Sequence, residues 1–445
     1  MKTRRFAIKS ASILAIACLA AVSQSADKPN ILFIFADDCG IDSFGCYGSD
    51  RAKNLTPNID ALAQSGTKFE RCYSTPLCGP SRALLLTGRY GFRTGGLTNQ
   101  TAGNPKSADE PSVAKILKSA GYATGMAGKW RQVGESPGDW GFEEYITDPT
   151  ASGWFWEKNY TKNGKEVTSD TEFYYPDAAS DFAIDFMRRH KDGPFCFYLS
   201  EHLIHGPILK TPDSKPGAEP RQLYDDNIAY LDKTVGKMLK ALDDIGLREK
   251  TLVLFTTDNG TAPPAYQPQH DPNLTTGTIG GRHVNGRKGT LLEGGSRVPL
   301  IASWKGTLPA GGVRADLIDF SDLLPTFADL AGAKLPAGIK FDGVSFAPQL
   351  RGEKGTPREW IFVQLGNAWY ARSDGYKLNQ NGELFSMKDA PFVEAPIAAD
   401  STDAAAAAGR KQLQAVLDEL NPAGGKVAPP NAGKKKAGKK AKKQA

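Results

Sequence analysis

The 445-residue sequence predicts an α/β protein: a large, mostly parallel mixed central sheet flanked by helices, followed by a small α+β unit with an antiparallel sheet. Three observations predict it. Short, wholly apolar runs alternate with amphipathic helical patterns, as in layered α/β structures. Several of those runs end directly in charged or polar residues. From about Pro357 the pattern changes to short aromatic-rich stretches split by turn residues.

Taken in order, Asn30 to Phe35 is the first apolar run and ends in Asp37-Asp38. Asn58 caps a helical segment with Ile59, Leu62 and Ala63 on one face. Val113, Ile116 and Leu117 mark another helix, stopped by Gly121, and Ala123 to Gly128 is strand-like and leads into Lys129. Phe195 to Leu199 is followed by His202 and His205. Ile228, Leu231, Val235, Met238, Leu239 and Leu242 line a long helix ending at Gly246. Thr251 to Thr257 ends in Asp258-Asn259-Gly260, and Val298 to Trp304 is the last run. Continuous apolar runs of this length fit buried parallel strands. In open α/β sheets ligands bind beyond the carboxyl ends of the strands, so the polar residues there point to one shared site. Trp360–Leu365, Ala368–Arg372 and Tyr376–Leu378 read as a meander, broken at Gly366-Asn367 and Ser373-Asp374-Gly375. Leu413, Val416, Leu417 and Leu420 line a final helix.

The expected organisation is a leader over 1–26, a large unit over 27–355, a small unit over 356–421 and a disordered tail over 422–445. Lys2, Arg4, Arg5 and Lys9 precede an apolar run from Ala11 to Val22 that is short for a membrane span. It reads as an export signal, secretory or twin-arginine-like, which places the mature protein in the periplasm or outside the cell. The tail carries Lys434-Lys435-Lys436, Lys439-Lys440 and Lys442-Lys443; it reads as solvated or as attracted to an anionic polymer. The net charge of +6 is modest and sits largely at the two ends, so no nucleic-acid partner is expected. Cys39, Cys46, Cys72, Cys78 and Cys196 follow the leader without a paired zinc spacing.

The most informative stretch is Cys78-Gly79-Pro80-Ser81-Arg82, followed by Ala83-Leu84-Leu85-Leu86-Thr87-Gly88-Arg89. Pro80 suits the first helical position, which puts Cys78 at or just before a helix N-terminus. Such a terminus favours an anionic group, and Arg82 one turn on offers a planar fork to the same anion. A lone cysteine there reads as a buried thiol beside an arginine. The whole run, however, resembles the signature of the type I sulfatases, Cys-x-Pro-Ser-Arg followed by Thr-Gly-Arg. The resemblance implies a large alkaline-phosphatase-like domain with a small C-terminal sheet and helix. It implies that Cys78 is converted by a maturation enzyme to formylglycine (3-oxoalanine), whose hydrate is the nucleophile, and that Arg82 holds the modified residue.

Asp37, Asp38, Asp258 and Asn259 are hard oxygen donors at two strand ends. Two like charges ~4 Å apart repel by about 4 kcal/mol at an effective dielectric near 20, so gathered carboxylates call for a counter-cation. An all-oxygen set favours Ca²⁺, or less well Mg²⁺, over zinc. The resemblance places Ca²⁺ on these four residues and on the modified Cys78. It also implies that Lys129, in Gly128-Lys129-Trp130, and Lys288, in Gly286-Arg287-Lys288-Gly289-Thr290, contact the sulfate, and that His205 faces the leaving-group oxygen. Glu293-Gly294-Gly295-Ser296-Arg297-Val298-Pro299 is similar to the family as well.

One position departs from the family. Two residues after the first lysine it has histidine; here Arg131 stands there, and arginine is a poor general base. His202, His283 or a metal-side aspartate are the substitutes, or Arg131 binds a further acidic group of the substrate. His190 reads as structural, and His270 and His283 lie in a Gly/Pro-rich loop. Trp154, Phe155, Trp156 and Tyr160 read as packing sooner than as a sugar-stacking surface.

The expectation is therefore an exported sulfuric ester hydrolase acting on a sulfated substrate, a carbohydrate given export and a polar leaving group. Two other readings stay open: a phosphonate or phosphate ester hydrolase of the same superfamily, and a catalytically impaired binder of anionic polysaccharide with Arg131 marking the impairment.

Overall fold

The computed structural model describes residues 28–429 apart from 132, 149–154, 263–273 and 276. The expected leader lies outside the described residues. Among those described, no helix is long and apolar enough to cross a membrane.

Among the described residues, twelve strands precede the C-terminal unit: β1 (Asn30–Ala36), β2 (Thr67–Tyr73), β3 (Ala123–Gly128), β4 (Glu144–Thr147), β5 (Trp156–Lys162), β6 (Lys165–Tyr174), β7 (Phe195–Ser200), β8 (Thr251–Thr257), β9 (Thr278–Ile279), β10 (Arg282–His283), β11 (Arg297–Ser303) and β12 (Gly312–Asp319). Ten of them form one mixed sheet in the order β12-β2-β11-β8-β1-β7-β3-β4-β5-β6, while β9 and β10 form a separate hairpin. The block β8-β1-β7-β3-β4 is parallel throughout. Five strands therefore deliver their carboxyl ends to one edge.

The alternation of side chains along β1 explains its place at the centre. Ile31, Phe33 and Phe35 enter one apolar cluster, with Leu84, Leu117 and Phe327 from helices Cys78–Thr87, Val113–Ser119 and Leu323–Ala331. Leu32, Ile34 and Ala36 enter the other, with Ile59, Ala183, Leu231 and Val235 from helices Pro57–Gln64, Tyr175–Arg189 and Pro220–Asp244. With both faces covered, each fully buried Leu, Ile or Phe side chain contributes about 1.5–3 kcal/mol.

Several sequence expectations are corrected. The run Val298–Trp304 forms β11, which is antiparallel to both β8 and β2. An apolar run specifies burial on both faces and carries no information about direction. β2 and the β5–β6 hairpin were not expected, because their half-polar sequences lack a continuous apolar run. Asn58 is inside its helix and does not cap it. Asp232 caps it instead, accepting from the Asn58 and Ile59 amides at 3.1 and 2.8 Å and from Asn58 Nδ2 at 2.7 Å.

The C-terminal sheet is a five-stranded meander of β13 (Ile361–Leu365), β14 (Ala368–Arg372), β15 (Tyr376–Asn379), β16 (Leu384–Asp389) and β17 (Val393–Ile397). Helix Ala404–Leu420 lies on it, burying Leu413, Val416, Leu417 and Leu420. Residues 422–429, expected to be part of a disordered tail, are held: the Lys426 amide donates to the Phe92 carbonyl at 2.7 Å, and Ala428 exchanges hydrogen bonds with Asn367. The lysine clusters beyond lie outside the described residues.

The small sheet is fastened to the large one through the buried Glu293. Its carboxylate accepts from Arg372 Nη1 on β14 at 2.9 Å and from the Tyr73 hydroxyl on β2 at 3.0 Å. Its amide donates to Glu394 on β17, which pairs with Lys377 on β15. Burial, aided by Glu394, pushes the Glu293 carboxyl up to about 7 against the pull of Arg297.

Gly128 closes β3 with φ +109°, and a Cβ there would sit 2.0 Å from the Ser200 carbonyl oxygen of β7. The same close approach lets the Lys129 amide donate to that oxygen at 2.7 Å. Gly128→Ala is expected to cost more than about 2 kcal/mol and to lower the thermal midpoint, measured by calorimetry against wild type.

Candidate active site

The register of the parallel block assembles the site. Ala36 of β1 is level with Thr257 of β8, so Asp37-Asp38 and Asp258-Asn259 leave the sheet side by side. Gly128 of β3 is level with Ser200 of β7 and with Thr147 of β4, so Lys129, His202 and Asp148 emerge next to them. Asp37 and Asp38 would alternate faces in a regular strand. Asp38 instead adopts a left-handed backbone, φ +59°, which breaks the alternation. Both carboxylates then face Cys78, whose Sγ lies 3.5 Å from Asp37 Oδ1 and 3.7 Å from Asp38 Oδ1.

Cys78 is the first residue of helix Cys78–Thr87, with Leu77 as its N-cap. Pro80 is thus the third helical residue and not the first; it is still within the turn whose amides have no intrahelical acceptor, so its missing N–H costs nothing. Burial raises the Cys78 thiol well above its ordinary range, and Asp258 adds to this against Lys129 and Lys288. A thiol held protonated is a weak nucleophile.

Arg82, one turn on, is fully enclosed. Its Nη2 donates to Asp258 Oδ2 at 2.9 Å and lies 3.6 Å from Asp37 Oδ2; its Nη1 donates to Ser200 Oγ at 2.5 Å. The guanidinium also stacks over Phe35, 5.0 Å from the ring centre. Lys129 pairs with Asp37 and Lys288 with Asp38. Asn259 Nδ2 donates to Asp38 Oδ1 at 2.9 Å, and the Asp38 amide donates to Asp258 Oδ1 at 3.2 Å. Burial tends to raise Asp37, but Lys129, His205, Arg82 and Lys288 outweigh it and hold the group well below the usual carboxylate range. Burial and Asp37 push Asp258 up, against Arg82 and Lys129.

The gathered carboxylates do not by themselves require a counter-cation. Asp37, Asp38 and Asp258 meet Arg82, Lys129 and Lys288, so three buried acids face three buried bases and side chains alone supply neutrality. The fit to a cation rests on other observations. Asp38 Oδ2 and Asn259 Oδ1 are buried and have no hydrogen-bond partner. Donor atoms of Asp37, Asp38, Cys78 and His205 lie within 4.8 Å of one another, a spacing that suits a metal ion. His205 joins this group although the resemblance implied for it only a place facing the leaving-group oxygen. Its Nε2 lies 3.7 Å from Asp38 Oδ2 and its Nδ1 lies 2.6 Å from the Gly206 carbonyl. Burial pushes the imidazole down to about 4 against the pull of Asp38, so the ring is neutral at pH 7.

Arg131 and His202 meet at a residue that the sequence reading did not single out. Asp148 Oδ2 accepts from Arg131 Nε and lies 3.3 Å from His202 Nε2. The available signal was an acidic residue just past a short strand, the pattern of Asp37 after β1. Burial tends to raise Asp148, but His202 and Arg131 hold it below its ordinary value. Ser200 and Tyr198, which support Arg82, also went unnoticed. His190 bonds Glu144 at 2.8 Å at the end of its helix, and His283 is exposed on β10 beside the Gly277 carbonyl. Phe155 is fully buried, whereas Trp156 is partly buried and donates to the Lys210 carbonyl. His270 and Trp154 lie outside the described residues.

A large mixed sheet with acids, bases and a helix-start cysteine at the ends of its parallel strands defines a hydrolase of the alkaline-phosphatase-like fold. Comparison with known proteins gives the family. Residues 29–333 match the family described as Sulfatase. Arylsulfatase A of Bos taurus is 36% identical over 401 residues, spanning 81% of this chain and 76% of that protein. N-acetylgalactosamine-6-sulfatase of Canis lupus familiaris is 33% identical over 379 residues, 77% of this chain and 70% of that one. Among solved structures, Ps i-CgsB in complex with k-i-k-neocarrahexaose superposes with a TM-score of 0.72 at 28% identity, covering 89% of this chain and 92% of that one. The chain belongs to the sulfatase family, and it is an enzyme of that family, a hydrolase of sulfate esters.

Proposed function

We propose that this enzyme is exported and removes sulfate from a sulfated carbohydrate through a formylglycine made from Cys78, next to a bound Ca²⁺. The observation that carries this reading is the convergence of Cys78, Asp37, Asp38, Asp258 and Asn259 at adjacent strand ends, with Arg82, Lys129 and Lys288 interleaved. The carbohydrate substrate is supported by similar proteins named for an amino sugar sulfate and by a related structure holding a neocarrahexaose. The buried thiol favours chemistry other than that of a free thiolate, and a hydrated aldehyde at Cys78 would supply an oxygen nucleophile. The oxygens of Asp37, Asp38, Asp258 and Asn259 would hold the Ca²⁺, whose chemistry when bound is to stabilise negative charge on a sulfuryl oxygen.

The chain's own groups do the rest. Arg82 is fixed by Ser200, Asp258 and Phe35, so it keeps Cys78's surroundings in one geometry. Lys129 and Lys288 are compact cations suited to sulfate oxygens, and each such donor is typically worth about 10²–10³-fold in rate. His205 would face the departing alcohol oxygen, a role supported by its Nε2 lying 3.7 Å from Asp38 Oδ2.

Mass spectrometry of the peptide spanning Cys78, from protein made in its native host, tests the reading. A mass matching the aldehyde or its hydrate is expected; an intact thiol in active protein overturns it. Matched sulfate and phosphate esters of one phenol are expected to favour the sulfate, and faster phosphate turnover would point to the phosphate ester hydrolase. Chelation is expected to remove most activity and to lower the thermal midpoint by a few degrees, with Ca²⁺ restoring both. An ion held at a hundredfold its Kd adds about 2.7 kcal/mol of stability.

A further inference from the structure

The outer edge of the large sheet carries a cavity that the site described above does not use. Its walls come from the β5–β6 hairpin and from helix Tyr175–Arg189, and its volume is about 480 Å³. Small-molecule sites typically span about 300–1,000 Å³ and combine apolar walls with a few polar groups. The sequence pattern builds such walls. Alternate residues of a strand share a face, so Tyr160 and Lys162 of β5 lie side by side, with Ser169 and Phe173 of β6 next to them. Residues four apart on a helix also share a face, which brings Asp177 and Asp181 to the opposite wall, beside Phe182. Tyr160 reads from the sequence as packing, yet it is only partly buried, its ring edge-on to Phe173 with 5.8 Å between centres. The Tyr230 hydroxyl donates to Asp177, 2.8 and 2.9 Å from its two oxygens, and Lys237 pairs with Asp181 at 2.7 Å. Lys162 Nζ lies 5.7 Å from the centre of the Phe182 ring. We propose that this cavity binds an uncharged sugar unit of the glycan whose sulfated unit is held at Cys78.

The chemistry of the walls selects the ligand class. Partly exposed aromatic rings offer flat apolar faces to the C–H face of a sugar ring. Carboxylates accept from sugar hydroxyls, a lysine donates to them and a serine hydroxyl does either. Such a mixture suits a polyol, whose every hydroxyl both donates and accepts. The walls hold two carboxylates against one lysine, a balance that disfavours a second sulfate and favours an uncharged unit. The position fits a chain that also reaches the reaction centre. Tyr160 stands one step past the Thr147–Thr161 pair, level with Asp148 at the site end of β4. β1, which delivers Asp37 and Asp38, and β5 are four strand spacings apart in the sheet order, or about 19 Å. One sugar ring cannot fill both places, so the ligand is an oligosaccharide with sulfated and unsulfated units.

This subsite rests on the carbohydrate sulfatase reading above, yet its occupancy is measured without turnover. Cys78→Ala protein is titrated by NMR with four neutral hexasaccharides: neoagarohexaose, cellohexaose, mannohexaose and xylohexaose. At least one is expected to bind with a Kd of about 1 mM or lower. In the same background, Tyr160→Ala is expected to weaken that binding by about tenfold or more, and Tyr160→Phe, which keeps the ring, by less than about threefold. Phe182→Ala, on the opposite wall, is expected to give a loss similar to that of Tyr160→Ala and covers the case in which the strand variant does not fold. No saturable response to any of the four sugars overturns the proposal. Binding that persists at full strength in folded Tyr160→Ala or Phe182→Ala protein does so too, because the sugar then sits elsewhere. An intact Cys78 thiol in active wild-type enzyme, with the neutral sugar still bound through Tyr160, instead removes the formylglycine reading and leaves the sugar cavity standing.

Discussion

Cys78→Ala is expected to give a folded protein that hydrolyses aryl sulfate esters at least about 10⁴-fold more slowly than wild type, the scale of loss when a covalent nucleophile is removed. Folding should survive for a local reason. Cys78 begins a helix, where alanine is a strong helix former, and its Sγ makes only long contacts of 3.5 and 3.7 Å to Asp37 and Asp38. Thermal unfolding within a few degrees of wild type, with activity lost, separates chemistry from stability. Turnover within tenfold of wild type would show that the reaction does not pass through position 78.

The second large effect is expected from Arg82→Leu, and it strikes stability and rate together. Arg82 reaches Asp258, Asp37 and Ser200 at once, and it is buried. Removing it leaves buried carboxylates short of one compensating charge, a change that typically costs about 3–5 kcal/mol. The acid–base balance then tips to a net negative site, which disfavours a sulfate as well. A lower midpoint in denaturant together with a kcat/KM loss of about 10²-fold or more is expected. Arg82→Lys restores the charge but not the planar fork, so it should recover part of the stability and little of the rate. Unchanged denaturation curves for Arg82→Leu would contradict the charge balance described above.

Much of the site was legible because its residues follow continuous apolar strands. Asn30–Ala36 and Thr251–Thr257 are wholly buried, and both stop at acidic residues, so their ends were visible in the sequence. The helix starting at Cys78 was visible from its proline and its alanine-leucine run. Less was legible where pattern and placement part company. The direction of β11 depends on the chain path between Asp258 and Arg297, which no local pattern encodes. β2 carries Lys68, Glu70 and Arg71, and its period was masked by them. Asp148 follows a strand of four residues, too short to stand out, and its partners come from sequence positions 17 and 54 residues away in either direction along the chain. The neutralisation of Asp37 and Asp38 by lysines from two other loops is likewise a property of register, not of spacing.

The Glu293 knot has a consequence for how this architecture can vary. The segment that carries Lys288 and abuts the Asp258 turn is clamped from the far side by Arg372, Lys377 and Glu394. Gly260 donates to the Gly295 carbonyl at 3.0 Å, so the clamp reaches the acidic turn within two bonds of contact. A chain shorn of its last hundred residues would therefore strand an ionisable glutamate and loosen the lysine loop, even though every acid of the pocket remained encoded. The appendage and the catalytic half are bound to be inherited together, and recombination should succeed at their outer loops while failing at the seam between them.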